Sequence, residues 1–167
     1  MTLDAEKIYR TYFMQVYSYV MNMVKIPDVA EEITQNTFVK AMTTRSAYKK
    51  ESGEYTWLCS IAKNLCNDYF RAGKKVSELS DDIEISGDYT HVEDDLITHE
   101  SSFMLHKLLH ELEEPYREVF ELRVFGELSF AEIAEIFART ESWARVTYHR
   151  AKLKIKERMD SYETDRR

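Results

Sequence analysis

Residues 128–156 read LSFAEIAEIFARTESWARVTYHRAKLKIK, and two helix starts lie within them. Ser129 is placed to cap a helix and Glu132, three residues on, to reach back to its amide, while Leu128 and Ile133 stand where a hydrophobic staple joins entry to first turn. Phe130, Ile133, Ala134 and Phe137 follow helical spacing, and the pattern halts at Ala138-Arg139 before Thr140 offers a second cap. In the helix that follows, Ala144, Tyr148, Ala151 and Ile155 share one stripe, and Ser142, Arg145, Val146, His149, Arg150 and Lys152 spread over the other faces. A short capped helix, a tight turn and a second helix with a basic face is the plan of a helix-turn-helix, whose second member enters the major groove. An ordinary helical hairpin with a solvated basic side has the same pattern, and the pattern alone leaves both open.

Composition narrows the class. With 44 % hydrophobic residues the chain of 167 can bury a core, in one domain or two small ones. Four Gly and two Pro among long periodic segments give strands and hairpin turns little punctuation, so an all-α fold is expected. No run of about 18 apolar residues occurs, and the start, MTLDAEKIYR, lacks the apolar stretch of a signal peptide, which predicts a cytoplasmic protein. Cys59 and Cys66, seven apart on one expected helix, cannot pair within it and are expected to be reduced, buried and inert.

A net charge of -7 argues against a nucleic-acid partner, but the charge is unevenly placed. Met1 to Lys75 holds 11 basic and 8 acidic residues, Val76 to His106 holds 9 acidic and no basic, and the rest holds 12 basic and 13 acidic. Two less acidic blocks flank one acidic strip.

Along the N-terminal block, Ile8, Tyr12, Val16, Tyr19, Val20 and Met23 mark an amphipathic helix ended by Pro27-Asp28. Asp28 is the expected cap of the next helix, whose core stripe is Ala30, Ile33, Thr37, Phe38 and Ala41, with Glu31, Glu32, Gln35, Asn36 and Lys40 outside. A looser stretch, residues 43–55, precedes TWLCSIAKNLCNDYFRAGKK. There Leu58, Ile61, Ala62, Leu65 and Tyr69 form the buried stripe, Lys63, Asn64, Asn67, Asp68 and Arg71 the polar one, and Gly73 the expected C-terminal cap. Tyr48, Tyr55 and Trp57 lie next to Lys49, Lys50, Lys63, Arg71, Lys74 and Lys75, a mixture of stacking faces and cations suited to single-stranded nucleic acid. The competing reading is that the aromatics close a small core and the lysines keep it soluble. Periodicity then disappears into an acidic linker, either a flexible spacer or a polyanionic tether able to lie in a positive channel. Beyond it Phe103, Leu105, Leu108, Leu109 and Leu112 mark one helix, and Val119, Phe120, Leu122 and Phe125, entered at Pro115 and closed by Gly126, mark another.

Taken together, DVAEEITQNTFVKAM with TWLCSIAKNLCNDYFR, and then LEEPYREVFELRVFGELSFAEIAEIFARTESWARVTYHRAK, resemble the two domains of the extracytoplasmic-function sigma factors of bacterial RNA polymerase, in the right order around an acidic linker. The resemblance implies an all-α chain of two small helical domains. Residues 1–75 would be the core-binding and minus-10 domain, 76–100 the linker and 101–167 a helix-turn-helix minus-35 domain. Glu31, Glu32, Gln35 and Asn36 would bind the beta-prime coiled coil of the polymerase core, whose beta subunit is a further partner. Lys49, Glu51, Ser52, Tyr55, Trp57, Lys63, Asn64, Asn67 and Arg71 would hold the melted minus-10 strand, with a flipped base against the loop around Glu51 to Tyr55. Of the minus-35 set, Arg145 is first choice for a guanine contact, with Ser142, Trp143, Val146 and His149 its neighbours and Arg139, Arg150 and Lys152 on phosphates. Such a protein performs no chemistry, needs no metal or cofactor, binds promoter DNA, and commonly answers to an anti-sigma factor, often membrane-anchored. Two departures from the family pattern stand out: Ala138 occupies a turn position where relatives often carry Gly, and Trp143 a place where a small residue is frequent.

Two other classes give different expectations. A free-standing helix-turn-helix regulator would use Arg145 too, but has no use for the loop and helix from Tyr48 to Arg71. For a metalloenzyme, His106 and His110 are the one pair at ligand-like helical spacing, without an H-E-x-x-H or C-x-x-C motif beside them.

Overall fold

The computed structural model describes residues 3–45, 48, 53–79 and 96–165, and among them every regular element is a helix. In chain order these are α1 (Leu3–Val24), α2 (Pro27–Thr43), α3 (Glu54–Leu79), α4 (Leu96–Glu111), α5 (Tyr116–Val124), α6 (Phe130–Phe137) and α7 (Glu141–Asp165). Helices α1, α2 and α3 pack on one another as the N-terminal half, and α5 and α6 pack on α7, with α4 against α7, as the C-terminal half. None of these helices is long and apolar enough to cross a membrane.

The stripes that periodicity predicts are the buried ones. Ile8, Val16, Tyr19, Val20 and Met23 of α1, Ala30, Ile33, Phe38 and Ala41 of α2, and Leu58, Ile61 and Ala62 of α3 close the first core. Cys59 and Cys66 lie in it as free, buried thiols. Burial pushes Cys59 up to about 12 and Cys66 higher still, so neither supplies thiolate at neutral pH. Two expected core positions are more open: Tyr69 stands at the surface of α3, and Phe103 of α4 is exposed.

Some boundaries differ from expectation. Gly73 does not cap α3, which runs on to Leu79; an internal Gly weakens a helix by about 1 kcal/mol without ending it when flanking residues continue the turn. Asp28 does not cap α2: the cap position is Ile26, extended and without a side-chain bond, and Pro27 supplies the first turn, where its missing N–H goes unnoticed. Helix α4 starts at Leu96, well before Phe103. Most of the acidic linker, residues 80–95, lies outside the described residues.

The connection between α6 and α7 matches its sequence closely. Ser129 Oγ accepts from the Glu132 amide at 3.2 Å and Glu132 Oε2 from the Ser129 amide at 2.8 Å. Leu128 and Ile133, both fully buried, complete the staple. Helix α6 ends at Ala138 in the left-handed region, φ 52°, ψ 45°, a conformation that a Cβ makes unfavourable. Ala138→Gly is therefore expected to stabilise the chain by up to about 1 kcal/mol, read as a higher urea midpoint with unchanged slope. Thr140 Oγ1 then accepts from the Trp143 amide at 3.1 Å and opens α7.

The two halves meet. A continuous apolar cluster joins α1, α2 and α3 to Val119, Leu122, Leu128, Ile133, Ala134 and Ala144. Tyr55 at the start of α3 donates its hydroxyl to the Gly126 carbonyl at 2.8 Å.

Candidate nucleic-acid interface

Helix α7 turns Ala144, Thr147, Ala151 and Ile155 into the C-terminal core and leaves Ser142, Arg145, Val146, His149, Arg150 and Lys152 exposed. The exposed residues fall on two adjoining strips. Arg139, Ser142, Trp143, Val146 and Arg150 line a shallow concavity completed by Pro115 and Tyr116. Arg145, His149 and Lys152, spaced by four and three, follow the neighbouring strip. Arg139 lies 5.7 Å from the Trp143 ring, and Trp143 rests on Phe137 with centroids 5.3 Å apart, so this indole packs the turn as much as it faces outward.

Arg145 is not a loose cation. Glu141 Oε1 accepts from its Nη2 at 3.0 Å, and the guanidinium sits 5.2 Å from the Phe130 ring. Arg123 takes the same ring from 4.4 Å while donating to the Leu128 carbonyl at 2.9 Å. Glu141 and Phe130 thus orient Arg145, a role sequence reading missed; the signal available was the i,i+4 spacing of Glu141 and Arg145. The pair is exposed on both sides, so it contributes order more than stability.

On α3 the expected minus-10 residues divide into those at the surface, where Arg71 Nη1 lies 3.7 Å from Asp68 Oδ1, and those engaged with the rest of the chain. Asn64 and Arg71 are exposed. Trp57 is half-buried and stacked on Tyr48 at 4.6 Å. Lys49, Glu51 and Ser52 lie outside the described residues. Lys63 and Asn67 instead meet the C-terminal half. Lys63 Nζ stands 2.8 Å from Glu118 Oε2 and 4.9 Å from the Phe137 ring centroid, and Arg117 donates to Asn67 Oδ1 at 3.0 Å. Glu31, Glu32, Gln35 and Asn36 form one exposed face of α2, where Gln35 donates to Glu31 at 3.3 Å.

His106 and His110 approach with their Nε2 atoms 3.2 Å apart. Among the described residues no further His, Cys, Asp or Glu joins them to form a three-ligand cluster.

Two family models cover these two halves: residues 8–76 match Sigma-70 region 2, and residues 102–155 match Sigma-70, region 4. RNA polymerase sigma factor YlaC of Bacillus subtilis (strain 168) is 30% identical over 165 residues, 97% of this chain and 95% of that protein. The chain belongs to the sigma-70 family, among its extracytoplasmic-function members. The ECF RNA polymerase sigma factor SigM of the same organism is 31% identical over 156 residues, 93% of this chain and 94% of the relative. Among solved structures, the fold is similar to the sigma factor RpoE of Bartonella quintana, in complex with the anti-sigma factor NepR (TM-score 0.66, 18% identity, 95% of this chain and 98% of that one). It is equally similar to CnrH in complex with the cytosolic domain of CnrY (TM-score 0.66, 15% identity, 94% and 88%). As a sigma factor the chain binds core RNA polymerase and promoter DNA and directs transcription initiation.

Proposed function

We propose that this sigma factor reads the minus-35 element with the outer face of α7 and holds the melted minus-10 strand on α3 and its preceding loop, while the polar face of α2 sits on the beta-prime coiled coil. Residues 1–75 and 101–167 act as the two reading modules, with 76–100 as the tether between them. The observation carrying this is one chain presenting both an exposed basic face on a helix-turn-helix whose two helices are each capped at the start and a separate exposed polar helix face in α2. The work is positional: weak grips at two promoter elements add up once both modules ride on the polymerase. No step of it asks for a catalytic group, and the setting is the cytoplasm. An anti-sigma factor, soluble or membrane-anchored, is the expected inhibitor.

Run-off transcription with core polymerase on a promoter library tests the whole reading: transcripts must start at sites defined by two spaced elements. Within it, Arg145→Ala is expected to lose about 1–3 kcal/mol of discrimination, roughly 5- to 150-fold, at promoters with a minus-35 guanine, and little elsewhere. Equal loss on every sequence would make Arg145 a phosphate contact.

A further inference from the structure

His106 and His110 have no part in promoter reading or in the polar face of α2. Their i,i+4 spacing on α4 sets both rings on one helix face. Neutral imidazoles on such a face are free to turn apart into water. Here they converge instead: the Nε2 atoms stand 3.2 Å apart with the rings at 89°. Two nitrogens that each lie about 2.0–2.1 Å from one metal ion are about 2.8–3.4 Å from each other at ligand angles between square and tetrahedral. The pair therefore already has the bite of a chelate. Phe70 of α3 meets the His110 ring edge-on with centroids 4.6 Å apart, which steadies that ring, and the exposed side of His110 leaves a way in from solvent.

We propose that His106 and His110 form a two-histidine chelate on α4 for a divalent nickel, copper or zinc ion, with water completing its coordination. Imidazole suits these three ions, whereas magnesium and calcium take oxygen. Neutral rings at this distance share one proton, donated from one Nε2 to the other. On binding, that proton passes through water to Nδ1 of its own ring, both Nε2 lone pairs turn to the ion, and no proton is gained or lost overall. Partial burial, followed by His110 and Lys25 for His106 and by Arg117 for His110, holds both rings below the ordinary imidazole range, which favours the neutral, ligating form. Lys25 and Arg117 also repel the ion, Arg117 the less because Glu114 accepts from it at 2.8 Å, and this keeps the ion exchangeable. An ion tying His106 to His110 braces the end of α4, between the acidic strip and α5, and stabilises the folded chain by mass action.

Calorimetric titration of the chelator-treated full chain with Ni2+ tests this, with Mg2+ as the comparison. Ni2+ is expected to bind at one equivalent and Mg2+ to give no heat. Two variants remove one ligand each: His106→Gln, and His110→Phe, which keeps an aromatic ring against Phe70. Each should keep the helical circular dichroism of the original and weaken Ni2+ by at least about tenfold, since the outer partners of a metal ligand alone are worth about 10–100-fold. Ni2+ should raise the urea midpoint of the original chain and leave that of either variant unmoved. Paramagnetic resonance of bound Cu2+ should show coupling to two imidazole nitrogens in the original and to one in each variant. Ni2+ affinity that survives in either variant overturns the chelate, and so does a Cu2+ spectrum that is the same in all three proteins.

Discussion

Lys63→Met is expected to destabilise the closed chain by about 3–5 kcal/mol, while Lys63→Met combined with Glu118→Gln should cost only a small part of that. The asymmetry comes from burial. The Glu118 side chain is 6% exposed and that of Lys63 15%, so removing the cation leaves a carboxylate in an apolar interface with no partner and little water. Removing both charges deletes the desolvation penalty along with the attraction. Urea unfolding of the two single variants and the double closes the cycle and isolates the coupling. A single-variant loss below about 1 kcal/mol would mean that the pair behaves as an exposed one.

That same pair shows where sequence stops being legible. The connection from Leu128 to Trp143 could be read almost atom by atom, because a capping box, a staple and a second cap at Thr140 are local: each uses groups within five residues of one another, and each is found as expected. The apolar stripes of α1, α2 and α3 were legible for a related reason, since helical period alone determines which side chains share a face. Lys63 and Asn67 carry no such local mark. On the helix they belong to the polar strip with Asn64 and Arg71, and nothing within α3 distinguishes a polar side chain meeting water from one meeting α5, fifty or more residues away along the chain. Glu118 and Glu121 are the reverse case: two carboxylates whose spacing in YREVFELRV reads as a solvated face, yet both are buried. Gly73 failed for another reason. Glycine permits a helix end but does not impose one, and here α3 continues through it.

Glu121 leads to the second large effect, which is a dependence on pH. Burial raises its carboxyl to about 8, and Arg117 only partly opposes this. The reason is geometric: Arg117 Nε is 3.9 Å away, while the same guanidinium donates at 2.8 Å to Glu114 and at 3.0 Å to Asn67, so its charge is committed elsewhere. An acid whose folded pKa lies above its unfolded value of about 4.5 holds its proton better in the native state. Its contribution is complete below that unfolded value and is lost as pH rises towards about 8. His106 acts in the opposite sense. Burial, then His110 and Lys25, holds it down to about 4, and burial lowers His110 as well, so stability also falls as pH drops from about 6.5. The two slopes oppose each other on the acid side, and above about pH 6.5 Glu121 acts alone. The chain is therefore expected to be most stable near pH 6.5 and to lose about 2 kcal/mol between there and pH 8, at about 1.4 kcal/mol per pH unit. Glu121→Gln, which stays neutral, should flatten that limb and leave the acid limb with its histidine slope, as measured by urea unfolding at half-unit steps of pH. A Gln variant that declines as steeply as the original protein above pH 6.5 would remove Glu121 from the account and place the titration in another group.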